Sequence, residues 1–165
     1  MRARTDRLIN RRNKSAAAFS LIEMMIAIAI IGLLLGISIP RYSKVRHEAN
    51  IREAESDVQM LSSAIKQLAW DTGRWPRALR REIQGDAECW DLSSSAAGLM
   101  AEGNGFSNWQ GPYLVEVPKD PWGSDYFFDP DYRIDGVMRP VVGSFGPNKI
   151  GRNKYDSDNV YVILD

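Results

Sequence analysis

The chain opens its hydrophobic pattern at residues 19–39, FSLIEMMIAIAIIGLLLGISI, where 21 residues carry one charge, Glu23. As a helix rising ~1.5 Å per residue, this stretch spans ~30 Å, the thickness of a bilayer core. The pattern changes after Pro40. Val45, Ala49, Ala54, Val58, Leu61, Ile65 and Leu68 recur mostly three and four apart, with charged residues between them. That spacing predicts an amphipathic helix through about residue 70. Asp71-Thr72-Gly73, followed by Pro76, reads as its stop. Pro40 is expected to kink or locally weaken the long helix. Residues 93–105 are small and polar, and predict a short helix near 95–101 followed by a loop. Strand patterns come late, at 125–128, 132–134, 137–142 and 160–164, with Asp135-Gly136 as a two-residue hairpin signal. A long helix on a small antiparallel sheet is an α+β fold. Residues 41–165 suffice for one core.

Charge sharpens this division. The 21 Lys and Arg balance 21 Asp and Glu. Residues 1–18 nevertheless hold Arg2, Arg4, Arg7, Arg11, Arg12 and Lys14 against Asp6, a net +5, which leaves the remainder at −5. An acidic remainder argues against a general nucleic-acid binder, which needs a basic footprint. A single cysteine, Cys89, excludes an intramolecular disulfide framework, and one histidine, His47, leaves little for His-based chemistry.

A cleaved secretory signal competes with a membrane anchor for 19–39. Its apolar region is usually ~7–15 residues and ends at a small-residue site. Here the uncharged run 24–39 ends at Pro40-Arg41, and the small residues Ala16-Ala17-Ala18 precede the apolar stretch. The reading is a retained anchor behind a basic leader. The excess of basic groups before it favours an N-terminus inside and the bulk of the chain outside. Glu23 has two readings: an acid near the interface reaching toward water, or one paired with a cation from another chain. Gly32-x-x-x-Gly36 permits close helix contact, and is equally compatible with small residues in an apolar helix.

Lys14-Ser-Ala-Ala-Ala18-Phe19-Ser20-Leu21-Ile22-Glu23 resembles the class III signal of type IV pilins and pseudopilins. The resemblance implies cleavage between Ala18 and Phe19, N-methylation of Phe19, and Glu23 as the fifth mature residue, with Ala18 where the family usually has Gly. Asn108-Trp-Gln-Gly-Pro-Tyr-Leu114, then Val117-Pro-Lys-Asp-Pro-Trp-Gly123 and Tyr126, look like the signature of the major, G-type pseudopilin of type II secretion. It implies a pilin-like fold with a leader at 1–18, a membrane or filament-core helix at 19–39, an amphipathic helix at 40–70 and a periplasmic region at 71–165. It also implies processing by a prepilin peptidase, an inner-membrane location, and work with minor pseudopilins and a secretion platform. Polymerisation into a periplasmic pseudopilus would follow. An amine created on Phe19 of one copy is then a candidate partner for Glu23 of the next, a head-to-tail contact that repeats into an open helical filament.

Two further segments carry candidate chemistry. Arg74-Trp-Pro-Arg77 through Arg80-Arg81 is a basic, aromatic patch, read as a solvated surface rather than a lipid or nucleic-acid contact. Residues 144–159 are rich in oxygen donors of the kind calcium takes. They do not follow EF-hand spacing. The resemblance places a structural calcium on Asn148, Asp156, Asp158 and the Phe145 carbonyl. Asn148 stands where the family commonly has Asp, and Lys149, Arg152 and Lys154 bring residues 146–159 to a net +1. The alternative is a calcium-free loop whose aspartates pair with those cations. The sequence therefore leads to a polymerising subunit rather than an enzyme. A type IV pilus or competence pseudopilus subunit is the alternative.

Overall fold

The structure, a computed structural model, describes residues 19–80 and 87–164, with the backbone alone for 37–40. The leader, with Ala18, and Arg81 lie outside the described residues. One helix, α1, runs Leu21–Thr72. It opens with a half capping box. The Ser20 N–H donates to Glu23 Oε2 at 3.1 Å, so the third helical residue satisfies the donor at the cap position. It ends two residues later than the pattern implied. Thr72 Oγ1 bonds back to the Leu68 carbonyl at 2.6 Å, and Gly73, at φ +67°, donates to the Ala69 carbonyl at 2.9 Å. The helical assignment passes through Pro40.

Contacts divide the chain into a unit up to Ser43 and a second unit, Lys44–Asp165. In the first, every helical residue whose burial is described is exposed: Leu21, Ile22 and Leu33 are 78, 64 and 69% accessible. A Cβ added to Gly32 or Gly36 would meet nothing within 4 Å.

In the second unit α1 buries Ala54, Val58, Leu61, Ile65 and Leu68. The stripe is narrower than expected, since Val45 and Ala49 are exposed. It packs on Trp75, Leu92, Leu99, Phe106, Tyr126, Phe128, Val142 and Leu164. After α1 a small ladder, β1 (Arg74–Trp75) with β2 (Leu79–Arg80), closes around a 3-10 turn at Pro76–Ala78. The expected helix at 95–101 is only a single 3-10 turn, Ser95–Ala97, because Gly98 at φ +78° ends it after one turn.

The main sheet has the order β3 (Phe127–Ile134), β4 (Val137–Ser144), β5 (Val160–Ile163), all antiparallel. The two separate strands expected at 125–128 and 132–134 are one strand, starting at Phe127. Its register slips between Asp129 and Tyr132, where Pro130 has no N–H to donate and the ladder makes room with a bulge. Asp135 and Gly136, at φ +50° and +81°, form the expected tight hairpin turn. Because side chains alternate along a strand, Phe128 and its partner Val142 face α1, while Phe127, Asp129 and Val141 face the other way. That second face is also covered, by Trp90, Phe145 and Tyr132.

Candidate assembly and cation sites

Phe19 and Glu23 sit at the start of α1. Glu23 is exposed and its carboxylate is engaged within its own chain by the Ser20 amide. Phe19, 75% accessible, directly precedes that amide. The structure thus places the proposed amine-bearing residue beside the proposed acid in one copy. The sequence points to water or a neighbouring chain as the partner of Glu23; the structure adds a local one, the Ser20 amide. The signal was present, since Ser20-x-x-Glu23 is a capping-box spacing.

The segments that carry the family resemblance are built as supports for the core. Trp109 Nε1 donates to the Gly98 carbonyl at 2.7 Å, and the amides of Tyr113 and Leu114 both reach the Leu99 carbonyl. Trp109 meets Tyr113 edge-on at 5.8 Å. Asp120 is 4% accessible and, among the described residues, has no lysine or arginine in ion-pair contact, but it is saturated with donors. It accepts from the amides of Trp122 (3.1 Å) and Ser124 (2.6 Å) and from Ser144 Oγ (2.6 Å). The Asp-Pro-Trp-Gly turn is therefore pinned to the end of β4, which is where the C-terminal loop departs. A buried carboxylate tolerates desolvation when its lone pairs are filled in this way.

The loop between β4 and β5 brings the predicted calcium residues onto two touching arms. Asn148 Nδ2 donates to Asp156 Oδ2 at 3.0 Å, and the Asp158 amide to Asp156 Oδ1 at 3.2 Å. Asn148 Oδ1 accepts the Ile150 amide at 2.7 Å. A Cβ on Gly146 would fall 1.9 Å from the Asp158 carbonyl oxygen, so only glycine lets the arms approach there. The donor set suits a hard cation in kind. Asn148 presents its NH2 to Asp156, so an ion held by both would require the amide turned to offer oxygen. Lys149, Arg152 and Lys154 make no ion pair with Asp156 or Asp158, and Arg152 lies 5.8 Å over the Trp90 ring instead.

A second set of acids was not legible in the sequence. Carboxylate oxygens of Glu88, Asp129 and Asp131 lie within 4.8 Å of one another. Asp129 is 1% and Glu88 8% accessible. Burial raises the Asp129 carboxyl to about 7; the Asp131 amide, at 2.9 Å, opposes this, and the charges of Asp131 and Glu88 add to it. Glu88 and Asp129 are separated along the chain, and only the Cys89–Phe128 bridge sets them side by side.

The basic patch is occupied locally. Arg74 reaches the Ala78 carbonyl at 3.2 Å and Arg77 the Glu88 carbonyl at 2.8 Å. Cys89 is buried, its Sγ 3.3 Å from the Asp91 carbonyl, and burial pushes its thiol up.

In sequence and in fold the chain is similar to known proteins. A family model described as type II secretion system (T2SS), protein G, matches residues 41–149, and one described as a prokaryotic N-terminal methylation motif matches residues 13–39. The chain is 30% identical over 108 residues to a type II secretion system core protein G from Klebsiella pneumoniae, covering 66% of this chain and 70% of that one. It is 28% identical over 148 residues to the core protein G of Xanthomonas campestris, covering 88% and 89%. The core protein G of Pseudomonas aeruginosa is 27% identical over 156 residues, 89% of this chain and 95% of the relative. In fold, it resembles the crystal structure of the major pseudopilin from the type 2 secretion system of enterohaemorrhagic Escherichia coli, with a TM-score of 0.52 and 19% identity over 72% of this chain and 86% of that one.

Proposed function

The chain belongs to the protein G family of type II secretion systems, and from that premise we propose that it is the major pseudopilin, polymerising into a periplasmic pseudopilus that drives export of folded proteins. Processing by a prepilin peptidase removes residues 1–18 and methylates the new amine on Phe19. Before assembly the helix from Leu21 holds the subunit in the inner membrane, N-terminus in the cytoplasm and head in the periplasm. Its partners are further copies of itself, minor pseudopilins and the inner-membrane platform. Secretion is preferred to a pilus or DNA-uptake role because the relatives are secretion proteins.

The observation that carries this reading is the uncovered apolar helix. The head closes its own core, yet the first unit exposes Leu21, Ile22, Ile28, Leu33 and Leu34. Apolar surface on that scale is covered by lipid or by neighbouring copies. Glu23→Ala tests the assembly step. The variant should be processed at Ala18–Phe19 and inserted normally, but fail to enter filaments. Normal incorporation would remove Glu23 from the mechanism. Mass spectrometry of assembled protein should find an N-methylated Phe19 at its start.

We assign the structural calcium of the head to Asn148, Asp156, Asp158 and the Phe145 carbonyl, on the donor chemistry of the loop and the family resemblance. There the ion would tie the two arms together without taking part in chemistry. Asp156→Asn should reduce the calcium-dependent gain in melting temperature, since a ligand bound only by the native state stabilises it.

A further inference from the structure

We propose that the tighter cation site of this chain is formed by Glu88, Asp129 and Asp131, and that it takes a hard divalent ion of calcium size. The site lies on the sheet face turned away from α1, at the bulge in β3. Three observations lead to it. The first is geometric. All three carboxylates offer an oxygen within 4.8 Å of the others. Oxygens about 2.4 Å from a shared calcium lie at most about 4.8 Å apart, so the three fit one coordination sphere.

The second is the condition of Glu88. It comes from the segment before the Cys89 bridge, not from the β3 bulge, and is only 8% accessible. Among the described residues its carboxylate accepts no hydrogen bond and meets no lysine or arginine at ion-pair distance. Asp120 shows how this fold treats a buried acid that needs no ion, by filling it with three donors. Glu88 has none, and it is aimed at two further carboxylates. An uncompensated buried charge is costly, and like charges in contact add to that cost.

The third is the balance of nearby cations. Arg77 approaches Glu88 but spends its contact on the main-chain carbonyl, at 2.8 Å. Arg152 stacks over Trp90. The 144–159 loop, by contrast, has one carboxylate, Asp156, already bonded to two local amides, and three basic side chains. Charge therefore favours the acid triad over the loop for a dication. Calcium would displace any proton held on the triad, so binding should weaken as pH falls.

The test uses the full chain in detergent micelles, titrated with calcium chloride and read by calorimetry and by melting temperature against a chelator. The wild type should show a tighter binding step. Glu88→Gln and Asp131→Asn should each weaken it by about tenfold or more, because ligand charge sets affinity in such sites. Asp156→Asn should leave that step in place. The sign of the stability change guards against simple misfolding. In chelator, Glu88→Gln and Asp131→Asn should melt at or above the wild type, since each removes repulsion; in calcium they should melt below it. Retention of the tighter step in both triad variants would overturn the proposal. So would its loss in Asp156→Asn alone, the absence of any calcium binding, or triad variants that melt lower in chelator. None of these outcomes bears on whether the chain assembles into a pseudopilus.

Discussion

Tyr126 and Asp57 are 69 residues apart in the chain, yet the phenol donates to the carboxylate at 2.7 Å. This bond ties the sheet side of the core to α1. Tyr126 is fully buried, and burial together with Asp57 raises its hydroxyl far above the usual range, so the phenol stays a donor at any working pH. Tyr126→Phe keeps the ring and removes the donor. It should cost about 1.5–3 kcal/mol in urea unfolding, the net worth of a hydrogen bond to a charged acceptor. Cys89 makes a second prediction at this scale. Its thiol is 4% accessible and raised by desolvation, so less of it is thiolate. Alkylation by iodoacetamide near pH 8 should be at least roughly tenfold slower in the native protein than in urea. Labelling at equal rates would show that the segment around Cys89 opens readily.

Two glycines in the main sheet separate backbone strain from crowding. Gly136 sits in the β3–β4 turn at φ +81° with open space around it. Gly136→Ala should cost about 1 kcal/mol, the price of a left-handed residue. A Cβ on Gly143 would lie 2.8 Å from the Val160 carbonyl oxygen and 2.9 Å from Tyr161 Cβ, across to β5. Gly143→Ala should therefore cost more, about 1–3 kcal/mol, by forcing β4 and β5 apart. Equal effects in chemical denaturation would contradict this assignment. The same elements show what a reader of the sequence can recover. The Asp135-Gly136 turn and the 54–68 stripe of α1 were legible because each is a local pattern with a fixed period. The union of two expected strands into β3 was hidden by Pro130, which reads as a breaker until the bulge absorbs it. The β1–β2 ladder was hidden because Arg77 and Ala78 take positive φ values that nothing in their side chains announces. The acid triad depends on a bridge between distant segments, and no linear motif encodes it.

For the molecule as a whole, the head's core is complete within the Lys44–Asp165 unit. A chain beginning at Lys44 should therefore stay folded and cooperative, with a melting temperature close to that of the full chain, and remain monomeric at concentrations where the full chain self-associates. Sedimentation of the two forms checks this; an unfolded truncation would show that the apolar segment supports the head. The Ser20–Glu23 contact also has a consequence for how copies join. That amide occupies one acceptor position on Oε2 and leaves the carboxylate others, so in the proposed head-to-tail contact a neighbour's ammonium would join the amide rather than replace it. What would drive that addition is the attraction of two full charges, small in water and large where water is gone. The first turn of α1 thus behaves as a clasp that is set by dryness: loose while wet, and shut once its surroundings turn to oil.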